Sequence, residues 1–169
     1  MHPLLDTLLT GSSSRPFALL AREGTGTLEV LLGDVVDVEL LADISLVDAS
    51  GTPLEVLALV PFRQVRERGF ESHDDGEPLR CLIVREREEV PLAVAMAALP
   101  HDEVPLHDGH FDVSDDDYAQ TVRDVIQNEI GRGEGANFVI RRDFTARVDA
   151  DPRTAALSWL HALLTHERG

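Results

Sequence analysis

The chain has 169 residues, with 31 acidic side chains against 15 basic ones and a net charge of −16 at pH 7 with histidine neutral. That balance repels phosphate backbones and anionic lipid, because nucleic-acid affinity rests on Lys and Arg displacing condensed counterions, so nucleic acid is not an expected partner. All 15 basic residues are Arg, which excludes Schiff-base and phosphate-loop lysine chemistry. A 43% hydrophobic, 27% charged composition is globular. No apolar run is long enough to span a bilayer, so no membrane partner is expected.

Leu4 to Leu9 predicts a short helix, closed by the loop composition Gly11-Ser12-Ser13-Ser14. Strands are then expected at Pro16–Ala21, Thr27–Leu32, Val35–Leu41, Leu54–Val60, Leu79–Arg85 and Pro91–Ala97, short apolar or alternating runs bounded by Gly, Pro and Asp. Phe62–Gly69 reads as a short helix with a glycine stop, and His73-Asp74-Asp75-Gly76-Glu77-Pro78 as a tight loop. His101 to Asp112, with Pro105, Gly109 and three His, reads as a connector.

A helix follows. Ser114 with Asp117 makes a capping-box-like start, Asp115 and Asp116 suit the positive end of the helix dipole, and Tyr118, Val122, Val125, Ile126 and Ile130 form one apolar stripe. Gly131 is the expected stop. Asn137 to Arg142 then predicts a strand, and Pro152 to His166 a second helix with Ala156, Leu160, Leu163 and Leu164 near one face. The fold class expected is α+β, a strand-rich and mostly antiparallel sheet with flanking helices.

Few residues offer chemistry by themselves. Cys81, the one thiol, sits in the strand-like Leu79–Val84 and reads as a buried apolar side chain rather than a nucleophile. With no disulfide open to it, and no basic, apolar leader at Met1 to Asp6, a cytoplasmic location is expected. His101, Asp102, Glu103, His107, Asp108 and His110 lack the fixed spacing of a ligand set, so a solvated acidic connector is favoured over a metal site. The loop Gly131-Arg132-Gly133-Glu134-Gly135 leaves a helix and enters the expected strand, the reverse of a dinucleotide loop. A tight turn needing positive φ and a substrate-lining loop both remain open for it.

Tyr118 to Phe144, with Gly131-Arg132-Gly133-Glu134-Gly135-Ala136-Asn137-Phe138-Val139-Ile140 and Arg141-Arg142, resembles the start of the chorismate-binding domain of the chorismate-utilising enzymes, the anthranilate synthase component I type. Pro16–Leu20, Leu28–Gly33, Val60–Phe70 and His73–Gly76 are similar to the amino-terminal region of the family's phenazine-pathway, aminating branch. On that resemblance, residues 1–112 are the strand-rich amino-terminal region, and 113–169 the start of the catalytic domain, truncated.

The resemblance implies a chemistry. Family members that add water carry a Lys on the strand after the glycine loop, where this chain has Asn137. An amide cannot serve as a base at neutral pH but can orient ammonia, which needs no deprotonation. Amination of chorismate to aminodeoxyisochorismate is therefore implied, with Asn137, Gly133 and Gly135 lining the substrate site. Ammonia would come from a glutamine amidotransferase domain or subunit, and Mg2+ would offset the charge of the substrate dianion. The magnesium glutamates, catalytic histidine and clamping arginine of the family lie downstream of the equivalent of Gly169, so the chain alone is expected to be inactive. Leu20-Ala21-Arg22 stands where tryptophan-pathway members show a Leu-Glu-Ser feedback motif. Two alternatives accompany this reading: anthranilate synthase component I, and a non-catalytic scaffold or assembly module needing a partner chain. Apolar surface left open around Asn137 and the Pro152 helix would invite aggregation or association, homodimerisation included.

Overall fold

The computed structural model describes residues 1–167. Internal contacts divide the chain into two compact units, Met1–Leu99 with the end of the last helix from Leu164, and Pro100–Leu163. The fold is α+β.

The first unit is a four-stranded antiparallel sheet of β1 (Phe17–Ala21), β2 (Thr27–Val38), β3 (Val56–Leu59) and β4 (Leu79–Pro91), in the order β1-β2-β4-β3. The runs Thr27–Leu32 and Val35–Leu41, expected as separate strands, form one strand that ends at Val38. The intervening Gly33-Asp34 does not turn the chain because Gly33 is held inside the ladder. Leu32 pairs with Glu86 and Gly33 with Val84, so Arg85 is the extra residue of a β-bulge. A Cβ built on Gly33 would lie 2.0 Å from the Ile83 carbonyl oxygen, so only glycine lets the two backbones meet. β4 likewise continues past its expected end at Arg85.

Leu79, Cys81 and Ile83 of β4 are buried with Val38, Leu41, Ile44, Leu54, Val56 and Ala58 packed against them. Cys81 is thus the core residue expected, and burial pushes its thiol pKa up. Leu28, Val30 and Val90 are also buried. Helix α1 (Pro3–Leu9) buries Leu5 and Leu8, one turn apart, and touches β2 and β4. No side chain of its own caps it. Glu88 does so instead: its carboxylate accepts from the Leu4 and Leu5 amides at 3.0 and 3.2 Å and lies 3.2 Å from His2 Nδ1.

Pro91–Ala97, expected as a strand, is helix α2 (Leu92–Ala98). Short apolar runs do not distinguish strand from helix by periodicity, and four Ala in seven residues favour the helix here. Phe62–Arg68 forms a 3₁₀ turn stopped by Gly69 at φ 83°, as the glycine predicts.

The sheet carries its charges as pairs. Arg80 and Asp37, direct cross-strand partners, meet at 2.8 and 2.9 Å, and the guanidinium holds the Asp37 carboxyl below the ordinary aspartate range. Glu29, buried in β2, is met by Arg22 at 2.9 Å and Arg87 at 3.3 Å, while Arg87 also reaches Glu55 and Glu89 at 3.0 Å.

The second unit holds β5 (Leu106–Phe111) and β6 (Phe144–Val148), paired antiparallel, and helix α3 (Asp115–Asp124). The expected connector His101–Asp112 therefore contains a strand. Its polar run His107-Asp108-Gly109-His110 hides a bulge, with Asp108 at φ 56° and the pairing shifted between His107 and His110. Ser114 caps α3 as expected, its hydroxyl accepting from the Asp117 amide at 3.1 Å. The helix runs on through a π-helical turn (Val125–Glu129) and a 3₁₀ turn (Ile130–Arg132), and it stops at Gly133, φ 82°, not at Gly131. α4 (Pro152–His166) has the expected bounds, and Asp151 accepts from the Thr154 amide at 2.9 Å. Its buried residues are Ala155, Leu157 and Ser158, whereas Ala156 and Leu163 of the expected apolar face are exposed.

Two substitutions test this account. Gly33→Ala is expected to cost about 1–3 kcal/mol, since its Cβ must displace the backbone of β4. Glu88→Ala, which removes the acceptor of two helix-end amides, should cost about 1–2 kcal/mol. Urea denaturation followed by circular dichroism measures both.

Candidate functional site

The residues that the chorismate resemblance singles out lie between Gly131 and Arg142 in the second unit. Gly133 carries the positive φ that ends the helical run, its amide bonded to the Ile130 carbonyl at 3.0 Å, and Glu134 N–H donates to Glu129 at 3.0 Å. Gly135 has a different role: a Cβ there would lie 2.9 Å from two ring atoms of Phe138, whose side chain folds back over it. The backbone thus requires glycine at 133, while at 135 it leaves room for the Phe138 ring.

Asn137 is exposed, and the expected strand Asn137–Arg142 has no regular secondary structure. The ladder begins only two residues later, at Phe144. The run Phe138-Val139-Ile140 has high β-propensity, but among the described residues no strand lies alongside to accept its hydrogen bonds. The structure places Gly133, Gly135 and Asn137 in sequence along one exposed segment.

Arg142 anchors the far end of the segment, a role the residue spacing did not reveal. Its Nε donates to the Val113 carbonyl at 2.9 Å, Nη2 meets Asp115 at 2.5 Å, and the guanidinium lies 3.8 Å over the Phe111 ring and 5.5 Å from that of Tyr118. Phe111 in turn packs edge-on against Phe144 at 5.1 Å between ring centres. Phe144 covers Gly109, where a Cβ would lie 2.7 Å from the ring. The signal available in the sequence was an Arg doublet facing the acidic start of a helix, and only the three-dimensional arrangement tells Arg142 from Arg141, which pairs with Asp143 at 2.5 Å.

The apolar stripe of α3 is only half covered: Tyr118, Val122 and Val125 are half-buried, and Ile126 and Ile130 are exposed. Phe111, Phe138, Phe144 and above all Val139, 95% exposed, add to this open surface. It is the uncovered apolar surface expected around Asn137.

Other features singled out earlier sit elsewhere. In His73-Asp74-Asp75-Gly76, Asp74 accepts from the Gly76 amide at 3.0 Å and pairs with Arg66 at 3.1 Å, and these contacts, the amide foremost, lower its pKa. The motif is a turn with an ion pair. His101 stacks obliquely on His161 at 5.8 Å, but among the described residues no group of three or more His, Cys, Asp or Glu is placed to hold a metal. An apolar groove of about 350 Å³, lined by Phe17, Leu19, Leu57, Leu82 and Arg80 among others, lies on the sheet of the first unit. None of Gly133, Gly135 and Asn137 lines it. No helix among the described residues is long and apolar enough to cross a membrane.

No family model matches the chain. Among curated proteins it is 45% identical over 159 residues to "Anthranilate synthase, phenazine specific" of Pseudomonas chlororaphis, and 44% identical over 159 residues to the enzyme of that name from Pseudomonas fluorescens. The chain is a relative of these phenazine-specific anthranilate synthases. The match covers 91% of this chain, so it takes in both the strand-rich first unit and most of the second. The chain spans about a quarter of the length of these relatives, 25% of each. The resemblance to the anthranilate synthase type of chorismate-utilising enzyme, and to its phenazine branch, is borne out.

The two kinds of residue in the loop separate experimentally. Gly133→Ala is expected to cost about 1–2 kcal/mol through its left-handed backbone. Asn137→Ala, at an exposed side chain, should change stability by less than about 0.5 kcal/mol. Chemical denaturation of the two variants checks both values.

Proposed function

We propose that the chain supplies the amino-terminal portion of a synthase that aminates chorismate, within a phenazine-type biosynthetic route. The observation that carries this reading is the 45% identity over nine-tenths of the chain to enzymes named for that branch, together with an amide, Asn137, just after the glycine loop. In the proposed reaction ammonia displaces the chorismate hydroxyl as water, giving aminodeoxyisochorismate. The Asn137 side chain is exposed, so its carboxamide is open to accept a hydrogen bond from ammonia and orient the lone pair. Gly133 and Gly135 would bring the backbone close to the substrate.

Ammonia is proposed to come from a glutamine amidotransferase domain or subunit, in the cytoplasm. Magnesium is proposed as the counter-ion of the substrate carboxylates. The described residues bring together no fitting ligand set, so its ligands would lie in the three quarters of the synthase that this chain does not match.

A second reading is anthranilate formation, favoured by the relatives' printed name. The two differ by one elimination: anthranilate requires loss of the enolpyruvyl side chain as pyruvate, while aminodeoxyisochorismate retains it.

A chimera in which this chain replaces the matched residues of the Pseudomonas chlororaphis synthase tests both. With chorismate, magnesium and an ammonium salt it should form an amino product that keeps the enolpyruvyl group, seen by mass spectrometry without pyruvate release. Stoichiometric pyruvate would select anthranilate instead, and no amination at all would remove the reading. Asn137→Ala in the chimera should lower kcat/KM for ammonia about tenfold or more, and unchanged kinetics would take Asn137 out of the site.

A further inference from the structure

The helical run that α3 begins contains a turn, Val125–Glu129, that closes over five residues where an α-helix closes over four. The apolar positions account for it. Tyr118, Val122 and Val125 carry the half-buried face of the run, and at α-helical spacing the next residue on that face is Glu129. The wide turn passes Glu129 by and brings Ile130 there, 39% exposed against 53% for Ile126. The extra residue is absorbed at Glu129, whose φ of −102° lies well off the α-helical value of about −63°. The turn is not committed to one register. The Ile130 amide donates both to the Val125 carbonyl, which is the π bond, and to the Ile126 carbonyl, which is the α bond. Gly131 leaves the space for this, since a Cβ there would lie 3.2 Å from the Ile126 carbonyl oxygen.

The glycine segment hangs from this turn. Gly133 donates to the Ile130 carbonyl and Glu134 to that of Glu129, both at 3.0 Å, so whatever turns residues 129 and 130 about the helix axis carries the start of the segment with them. We propose that Val125–Glu129 is a register switch that places the glycine segment and Asn137. In the π register Ile130 shares the face of Tyr118, Val122 and Val125. In the α register Glu129 takes that place, and the exit of the helix is turned by about 100°, one residue of helix. Burial of the apolar face favours the π register, because only there is its last member an isoleucine and not a carboxylate. Covering of α3 and the position of Asn137 are thereby coupled. The inference deepens the amination reading and rests on it only for its effect on catalysis.

Exchanging two side chains, Glu129→Ile with Ile130→Glu, puts the isoleucine at α-helical spacing from Val125 and selects the α register. Nuclear magnetic resonance of the full chain reads the register directly: a contact from the Val125 α-proton to the amide of residue 130 marks the π turn, and a contact to residue 129 without it marks the α turn. The native chain should show the contact to residue 130. The exchanged variant should lose it, with the amide resonances of Gly133 to Asn137 displaced and a melt as cooperative as the native one. Glu129→Leu alone, which offers an apolar side chain to both registers, should show both contacts. In the chimera with the Pseudomonas chlororaphis synthase, the exchange should lower kcat/KM for ammonia about tenfold or more. Gln127→Ala, in the turn but with the apolar spacing intact, should leave register and rate unchanged. Persistence of the contact to residue 130 in the exchanged variant overturns the proposal, and so does its loss with Gly133 to Asn137 undisplaced or with the chimera's rate unchanged. A native chimera that fails to aminate removes the amination reading, and the contacts and the Gly133 to Asn137 resonances then decide the switch by themselves.

Discussion

The pairing of β2 with β4 is the constraint on which the first unit depends. Each is about twice the length of a usual strand, and β1, β3 and helices α1 and α2 all attach to one or other of them. So long a ladder twists, and the bulge at Gly33 and Arg85 is a place where the bulged strand bends and its twist increases. The bulge also resets which side chains face the core, so that Cys81 and Ile83 on one side of it and Leu28, Val30 and Val90 on the other are all buried. Glu88, on the far side of the bulge from Cys81, then stands where a carboxylate can end helix α1.

Electrostatics in a chain of net charge −16 follow from the same ladder. Acidic side chains sit beside arginines: Asp37 with Arg80 and Asp34 with Arg85 across strands, and Glu29 of β2, Glu55 just before β3 and Glu89 of β4 itself around Arg87. Exposed pairs of this kind contribute little each, but Glu29 is buried, and removing Arg22 or Arg87 would weaken the compensation of a desolvated carboxylate. Arg serves better than Lys here because its planar fork meets a carboxylate with two parallel bonds, as Arg80 does with Asp37.

The second unit is organised by contrast around incompletely covered elements. A two-stranded sheet, an aromatic pair held by Arg142 and a helix with a half-covered apolar stripe leave much apolar surface open. This fits a chain that matches a quarter of its relatives' length. The proposed substrate residues Gly133, Gly135 and Asn137 are exposed as well.

The elements set by local chemistry were legible from the residues: the Ser114 cap, the Gly69 stop, the Pro152–His166 helix and the alternating strands of the first unit. The kinship was legible as well, because ordered motifs along nearly the whole chain carry it. Three features were decided only by tertiary structure. Gly33 reads locally as a turn residue, and it is the approach of the Ile83 carbonyl that makes it part of a ladder. Leu92–Ala98, expected within a strand, is a helix, since so short an apolar run takes the conformation its surroundings allow, and Leu106–Phe111, expected within a connector, is a strand because a bulge lets a polar run pair. Asn137–Arg142 has the residues of a strand without being one. Propensity acts within a single segment, whereas a strand exists only when a second backbone answers its hydrogen bonds.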